Sequence, residues 1–279
     1  MRSNGTALVS GVEDLLHRAA ERLDSAEPGD AVGPLQVGVD LGTASCVLTV
    51  LAGPDDDLRP VWVGRESSGA LRDGVVVDFA RAAATIGRLK QAAEDALGVT
   101  LEATATAYPP CVPLADARAC RFVCEAAGFD RVDLVDEVTA AQRTLQVVDG
   151  VVVDVGGGST GVGVFRRGEL VALDDRPGGG HHLDLVLAGA LGLSLSDAEA
   201  HKRTHPRQSL PILVPGLQRI AENVRALTVE AADLPLHLAG GALMIDGAGA
   251  VLSTYLERTV VTYPHALLIT PLGIARSAS

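Results

Sequence analysis

Two stretches of this 279-residue chain set a carboxylate against a glycine turn between apolar runs. Residues 37–51 read VGVDLGTASCVLTVL and residues 150–165 read GVVVDVGGGSTGVGVF, so Asp40 and Asp154 stand in equivalent places. A glycine turn between two strands can aim several backbone N–H groups at one point, and such a nest holds phosphate without a basic side chain. An aspartate beside the nest is repelled by phosphate unless a cation lies between them. Mg²⁺ suits that place, since it takes oxygen ligands and keeps most of its waters. The pair therefore predicts a polyphosphate and its Mg²⁺ held in a cleft between two domains, with Asp40 and Asp154 reaching the metal through water. A plain tight hairpin accounts for one copy as well, but not for the repeated acid.

Other chemistry has less support. No GxxxxGK[ST] occurs, and Lys90 and Lys202 are the only lysines, so there is no P-loop. Gly157–Gly161 matches GxSxG formally. The VGVF that follows continues a strand, however, whereas a nucleophile elbow leads into a helix. His181 and His182 follow three glycines with no acid or cysteine pattern nearby and read as loop residues rather than metal ligands. Cys46, Cys111, Cys120 and Cys124 form no CxxC. Cys120 and Cys124, one helical turn apart, could be two zinc ligands but lack evident companions, so neutral buried thiols in a reducing cytoplasm are expected.

The elements that must position the two turns alternate between strand and helix. Residues 12–24 carry an amphipathic stripe, and SAEPGDAVGP (25–34) reads as a linker; this helix docks on the body or on a partner. PDDDL (54–58) is a turn, and GALRDGVVVDF (69–79) reads as a turn and a strand. A helix is expected over 80–97 with a stop at Gly98, then a strand at 103–108, a helix at 114–128, a strand at 132–137 and a helix at 138–145. The second half repeats the plan: strands to 175, the glycine loop PGGGHH (177–182), helices including 196–203 and 218–231, and a strand running into the loop of 235–247. The fold class is α/β with a duplicated architecture. Expected domains are 1–34 (helix and linker), 35–147 and 148–279, with the last helix free to return to the first domain. A net charge of −12 excludes a nucleic-acid or anionic-membrane surface as the main partner, and no apolar run nears the ~18 residues of a membrane span.

In this order, the motifs resemble the actin/Hsp70/sugar-kinase ATPases. VGVDLGTAS (37–45) and VVVDVGGGST (151–160) look like that family's two phosphate motifs, and LAGGALMIDG (238–247) like its adenosine motif. Residues 105–142 resemble the Hsp70 stretch ending in NEPTAA, AEAHKR (198–203) its adenosine-facing helix, and ALRDGVVVDF (70–79) MreB- and FtsA-like members. The length and the wording of PGGGHHLDLVLAGALG look most like the EutJ family of ethanolamine utilization. The resemblance implies two duplicated ribonuclease-H-like domains around a nucleotide cleft, in a compact form without large outer subdomains. It implies ATP or ADP with Mg²⁺ as ligand. Residue by residue, it gives Asp40, Glu137 and Asp154 catalytic roles, with Glu137 orienting water. Gly42, Thr43, Gly156, Gly157, Gly158 and Ser159 would hold phosphates, and Glu199, Lys202, Arg203, Gly240 and Gly241 the adenosine. Three departures matter: Gly161 stands where Hsp70 has Asp, Val138 where NEPTAA has Pro, and no catalytic Lys can be placed. Missing charge near the γ-phosphate implies binding with slow hydrolysis.

Three functions follow. One is a weak Mg-ATPase acting as a chaperone-like factor on a client or assembly protein of an ethanolamine microcompartment, in the cytoplasm. The second is a non-hydrolysing ATP-dependent assembly adaptor resembling the pilus protein PilM. The third, ranked last, is a small-molecule kinase.

Overall fold

The computed structural model describes residues 3–25, 27–55, 57–72, 74–110 and 112–279, with side chains from Ser10 onward except Leu114. Asp56, Asp73 and Cys111, which fall within the turn, strand and thiol expectations above, lie outside the described residues. The chain divides into two compact units, residues 1–146 with 268–279 and residues 147–267.

Unit 1 runs α1 (Ser3–Ser25), β1 (Leu35–Leu41), β2 (Ser45–Ala52), β3 (Arg59–Ser67), β4 (Leu71–Arg72), β5 (Val75–Val76), α2 (Phe79–Leu97), β6 (Ala103–Tyr108), α3 (Leu114–Ala126), β7 (Arg131–Asp136) and α4 (Glu137–Leu145). Its sheet has the order β3-β2-β1-β6-β7. The first three strands form an antiparallel meander, and the last two, reached through helices, run parallel to β1. Residues 69–79 form no single strand. Gly74 at φ +77° turns the chain back, and two-residue strands pair across it. Helix α2 starts where Asp78 accepts from the Arg81 N–H and stops at Gly98 in the left-handed region.

Unit 2 runs β8 (Gly150–Val155), β9 (Ser159–Arg166), β10 (Glu169–Pro177), α5 (Gly180–Leu191), α6 (Leu195–Thr204), α7 (Pro206–Leu227), β11 (Leu236–Ala239), α8 (Ala248–Leu256) and β12 (Val260–Val261); α9 (Ile269–Ala275) belongs to unit 1. The order β10-β9-β8-β11-β12 repeats unit 1. Helix α7 starts well before the expected Gln218. Pro211 and Pro215, four residues apart, are both exposed, so their lost N–H bonds face water while Leu213, Leu217, Ile220 and Val224 are buried opposite.

The duplication extends to single residues. Asp40 pairs with Val47 and Asp154 with Gly161. In the third strands, Pro60 and Trp62 oppose Leu51 and Val50 with Val61 bulged between them, and Leu170 and Ala172 oppose Phe165 and Val164 with Val171 bulged. The copies differ in cover. Val61 is 3% exposed and its carbonyl accepts from the Gly29 N–H at 2.7 Å, whereas Val171 is 57% exposed. Helix α1 packs on β3 through the stripe read from the sequence, with Val12, Leu16, Ala19 and Ala20 buried. Each wholly buried leucine of this kind contributes about 1.5–3 kcal/mol. No helix among the described residues is long and apolar enough to cross a membrane.

Candidate functional site

In unit 1 the parallel strands β1, β6 and β7 end together. Gly38 pairs with Ala105, and Ala105 with Asp133, so Asp40 near the end of β1 and Glu137 just past β7 lie at the same edge of the sheet, two strands apart. In open α/β sheets this carboxyl edge is where ligands bind. Asp136 caps α4 by accepting from the Thr139 N–H at 2.8 Å, which fixes where Glu137 leaves the strand. Both acids are felt by one thiol: burial, then Glu137, then Asp40 push Cys120 up to about 12. Burial first, with the charges of Asp40 and Glu66 adding to it, pushes Cys46 up to about 11, and burial raises Cys124 as well. These three thiols stay protonated and are poor nucleophiles and ligands. Burial is the main cause in all three, with Asp40 and Glu137 adding to it at Cys120.

The turn from β1 to β2 holds Gly42 and Thr43, both half-buried. Among the described residues, the N–H groups of Thr43 and Ala44 donate to no acceptor. In unit 2 the same holds for Gly157 and Gly158, in the turn from β8 to β9. Amides without an acceptor at the head of a hairpin can form an anion-binding concavity. Asp154 itself is only 7% exposed.

Unit 2 adds two supports. A strap formed by Gly178, Gly179 and Gly180 lies over the turn: the Gly178 N–H donates to Gly158 O, the Gly180 N–H to Gly156 O and the His181 N–H to Gly157 O, all at 2.8–2.9 Å. The Thr160 hydroxyl donates back to Gly178 O at 2.6 Å, and Asn223 Nδ2 donates to Pro177 O. The strap thus fixes the turn's carbonyls and leaves the Gly157 and Gly158 amides available, while the Gly156 N–H donates to Ser159 O at 3.1 Å. The second support is β11, which pairs beside β8 so that Ala239 opposes Asp154. Gly240 follows at φ +84°, and a Cβ there would lie 2.5 Å from Asp154 Oδ1 and 2.3 Å from Val155 O. This brings Asp154, Gly156–Gly158, Ser159 and Gly240 together, with Gly241 exposed beyond them.

Glu199, Lys202 and Arg203 share α6, whose first turn is capped by Ser194. Lys202 is buried and bonded to Asp184 of α5 at 2.5 Å, one turn after the strap; Arg203 pairs with Glu199 on the surface. Lys90 is held by Glu94 at 2.6 Å over the Phe129 ring within unit 1. Gly161 lies in β9 opposite Asp154, and Val138 is fully buried in α4. The strap, Asp184 and Asn223 were not among the sequence candidates. PGGG was readable as a glycine loop, but nothing local says that it folds over residues 156–158.

Residues 67–188 match the family described as MreB/Mbl protein. The ethanolamine utilization protein EutJ of Escherichia coli (strain K12) is 34% identical over 261 residues, covering 93% of this chain and 92% of that protein. The crystal structure of ethanolamine utilization protein EutJ from Carboxydothermus hydrogenoformans is similar with a TM-score of 0.90 and 35% identity, over 96% of this chain and 99% of that one. MreB5 of Spiroplasma citri bound to ADP shares the fold at a TM-score of 0.69 and 15% identity, over 86% of this chain and 94% of that one.

Proposed function

The chain belongs to the family of the ethanolamine utilization protein EutJ, and from that premise we propose that it binds ATP and ADP with Mg²⁺ and turns ATP over slowly. The observation that carries this reading is the repeated one: in each unit a carboxylate adjoins a hairpin turn in which two amides, those of Thr43 and Ala44 or of Gly157 and Gly158, have no acceptor among the described residues. Nucleotide phosphate is the ligand of each turn. The amides of Thr43, Ala44, Gly157 and Gly158 receive its oxygens, Ser159 lies at the same turn, and Gly240 and Gly241 make room for the nucleoside. Asp40 and Asp154 hold Mg²⁺ through its waters; the ion, when bound, supplies the positive charge that phosphate and carboxylate share. Glu137, half-buried at the head of α4, orients the water that attacks the terminal phosphate. Its position at the same sheet edge as Asp40, two strands away, supports that role. Lys202 is spent on Asp184 and Lys90 on Glu94, so no lysine is available to neutralise charge in the transition state, and slow turnover follows.

On this reading the protein is a chaperone-like factor of ethanolamine utilization, acting on an enzyme or microcompartment component. The uncovered strand β10 supports a protein partner, since Leu170, Val171 and Leu173 are exposed where the equivalent residues of β3 lie under α1. The experiment is phosphate release from Mg-ATP by the full chain and by Asp154→Ala. Release at least tenfold slower in the variant is expected. Equal rates remove the enzymatic reading, and nucleotide binding without release in either protein selects the assembly adaptor.

A further inference from the structure

An open pocket with mixed polar and apolar walls lies within unit 1, away from the residues of the glycine turns. Its volume is about 330 Å³, and among its walls are Asp14 and Arg18 of α1, Asp57 before β3, Arg59 at the start of β3, Gln146 after α4, and Arg276 after α9. Arg276 stands out chemically. Its Nε is shut off from solvent and has no acceptor. No salt bridge or hydrogen bond engages the guanidinium of Arg18, Arg59 or Arg276 among the described residues, although Arg143 Nη1 donates to the Arg276 backbone carbonyl at 3.0 Å. Burial lowers the Arg276 pKa with no carboxylate acting in the other direction, and a guanidinium stays protonated regardless.

A desolvated cation without a counter-charge is unfavourable and is normally paired. The end of α9 gives Arg276 a favourable dipole, but a dipole offers Nε no acceptor, and α9 has only seven residues. Three unpaired guanidiniums around one cavity make the fork geometry that grips phosphate or carboxylate oxygens in pairs. The two aspartates on the wall leave one formal positive charge in excess and add acceptors, so the preferred ligand couples its oxyanion to a hydroxyl. A cavity at the small end of the usual ligand range, about 300–1,000 Å³, suits a compact molecule.

We propose that this cavity binds a small hydroxylated oxyanion, a phosphate monoester or a dicarboxylate, gripped by Arg276 and closed over by Arg18 and Arg59. The ligand would sit against Gln146, the last residue before the chain leaves unit 1.

The test is calorimetry on the full chain with glycerol 3-phosphate, malate and inorganic phosphate as separate probes. One of the first two is expected to bind in the millimolar range or tighter, more strongly than inorganic phosphate, and which one binds identifies the oxyanion. Arg276→Met should weaken that binding at least tenfold, and the double variant Arg18→Gln, Arg59→Gln should do the same. Both of those arginines are exposed, so the double variant decides the matter if Arg276→Met fails to fold. Mg-nucleotide affinity should be unchanged in all of these proteins, which separates this site from the glycine turns. No binding of either organic probe, or binding unaltered in the variants, overturns the proposal.

Discussion

Gly240→Ala is expected to weaken ADP binding by about a hundredfold, some 2.7 kcal/mol, while leaving most of the fold intact. The φ of +84° costs an alanine roughly 1 kcal/mol. The larger effect is steric, because the new methyl would meet a backbone oxygen at 2.3 Å and the Asp154 carboxylate at 2.5 Å. Either β11 moves away from β8 or Asp154 turns, and each disturbs the carboxylate that the nucleotide reading depends on. Two controls isolate the cause. Gly98→Ala carries a similar backbone penalty at φ +67° with nothing within 4 Å, so it should cost about 1 kcal/mol of stability and no affinity. Gly241→Ala meets only the Leu267 Cβ at 3.4 Å, so it should keep the parent's stability, and a loss of ADP affinity there reports the room the nucleoside needs. Calorimetry with ADP and urea denaturation of the three variants read both quantities.

The second large effect concerns the return of the chain to unit 1. Gly273→Ala is expected to destabilise the protein by about 3 kcal/mol, the upper part of the overpacking range, lowering Tm by roughly 10 °C. A Cβ at position 273 would lie 1.7 Å from Ala140 O, so α9 and α4 touch through bare backbone there. From the other side, Gly38 in β1 admits α9 in the same way, with Ala275 N only 2.3 Å from where its Cβ would be. The Thr144 hydroxyl, donating to Ile269 O at 2.8 Å, holds the helix in register. Adding a methyl therefore pushes α9 off α4 and β1 together. Thermal and urea unfolding of the variant measure the loss, and an unchanged Tm would show that α9 is not held at this contact.

Local patterning explains which parts of this structure could be read from the chain. The hairpins at Asp40 and Asp154 were legible because alternation, an acid and a glycine turn coincide within fifteen residues and recur. Helix α2 was legible because its cap at Asp78 and its stop at Gly98 are local signals. The start of α7 was not, because Pro211 and Pro215 read as breakers and only burial shows that both lie on the solvent face. The 69–79 segment misled because its three valines suggest one strand, while Gly74 folds the segment back on itself. Contacts between distant residues were the least legible. Nothing near Lys202 announces Asp184, nothing near Gly178 announces Gly158, and a lone Gly273 in an apolar run does not announce Ala140. Asp40 and Glu137 at one sheet edge required the β1–β6–β7 register, which no local pattern encodes.

The central claim is that both aspartate–glycine turns are needed for Mg²⁺-dependent nucleotide binding. Titration of ADP into the full chain with and without Mg²⁺, repeated for Asp40→Asn and for Asp154→Asn, tests it directly. The account predicts affinity that depends on Mg²⁺ and a loss of at least tenfold in either variant. Affinity indifferent to Mg²⁺, or untouched by one of the two substitutions, would contradict it.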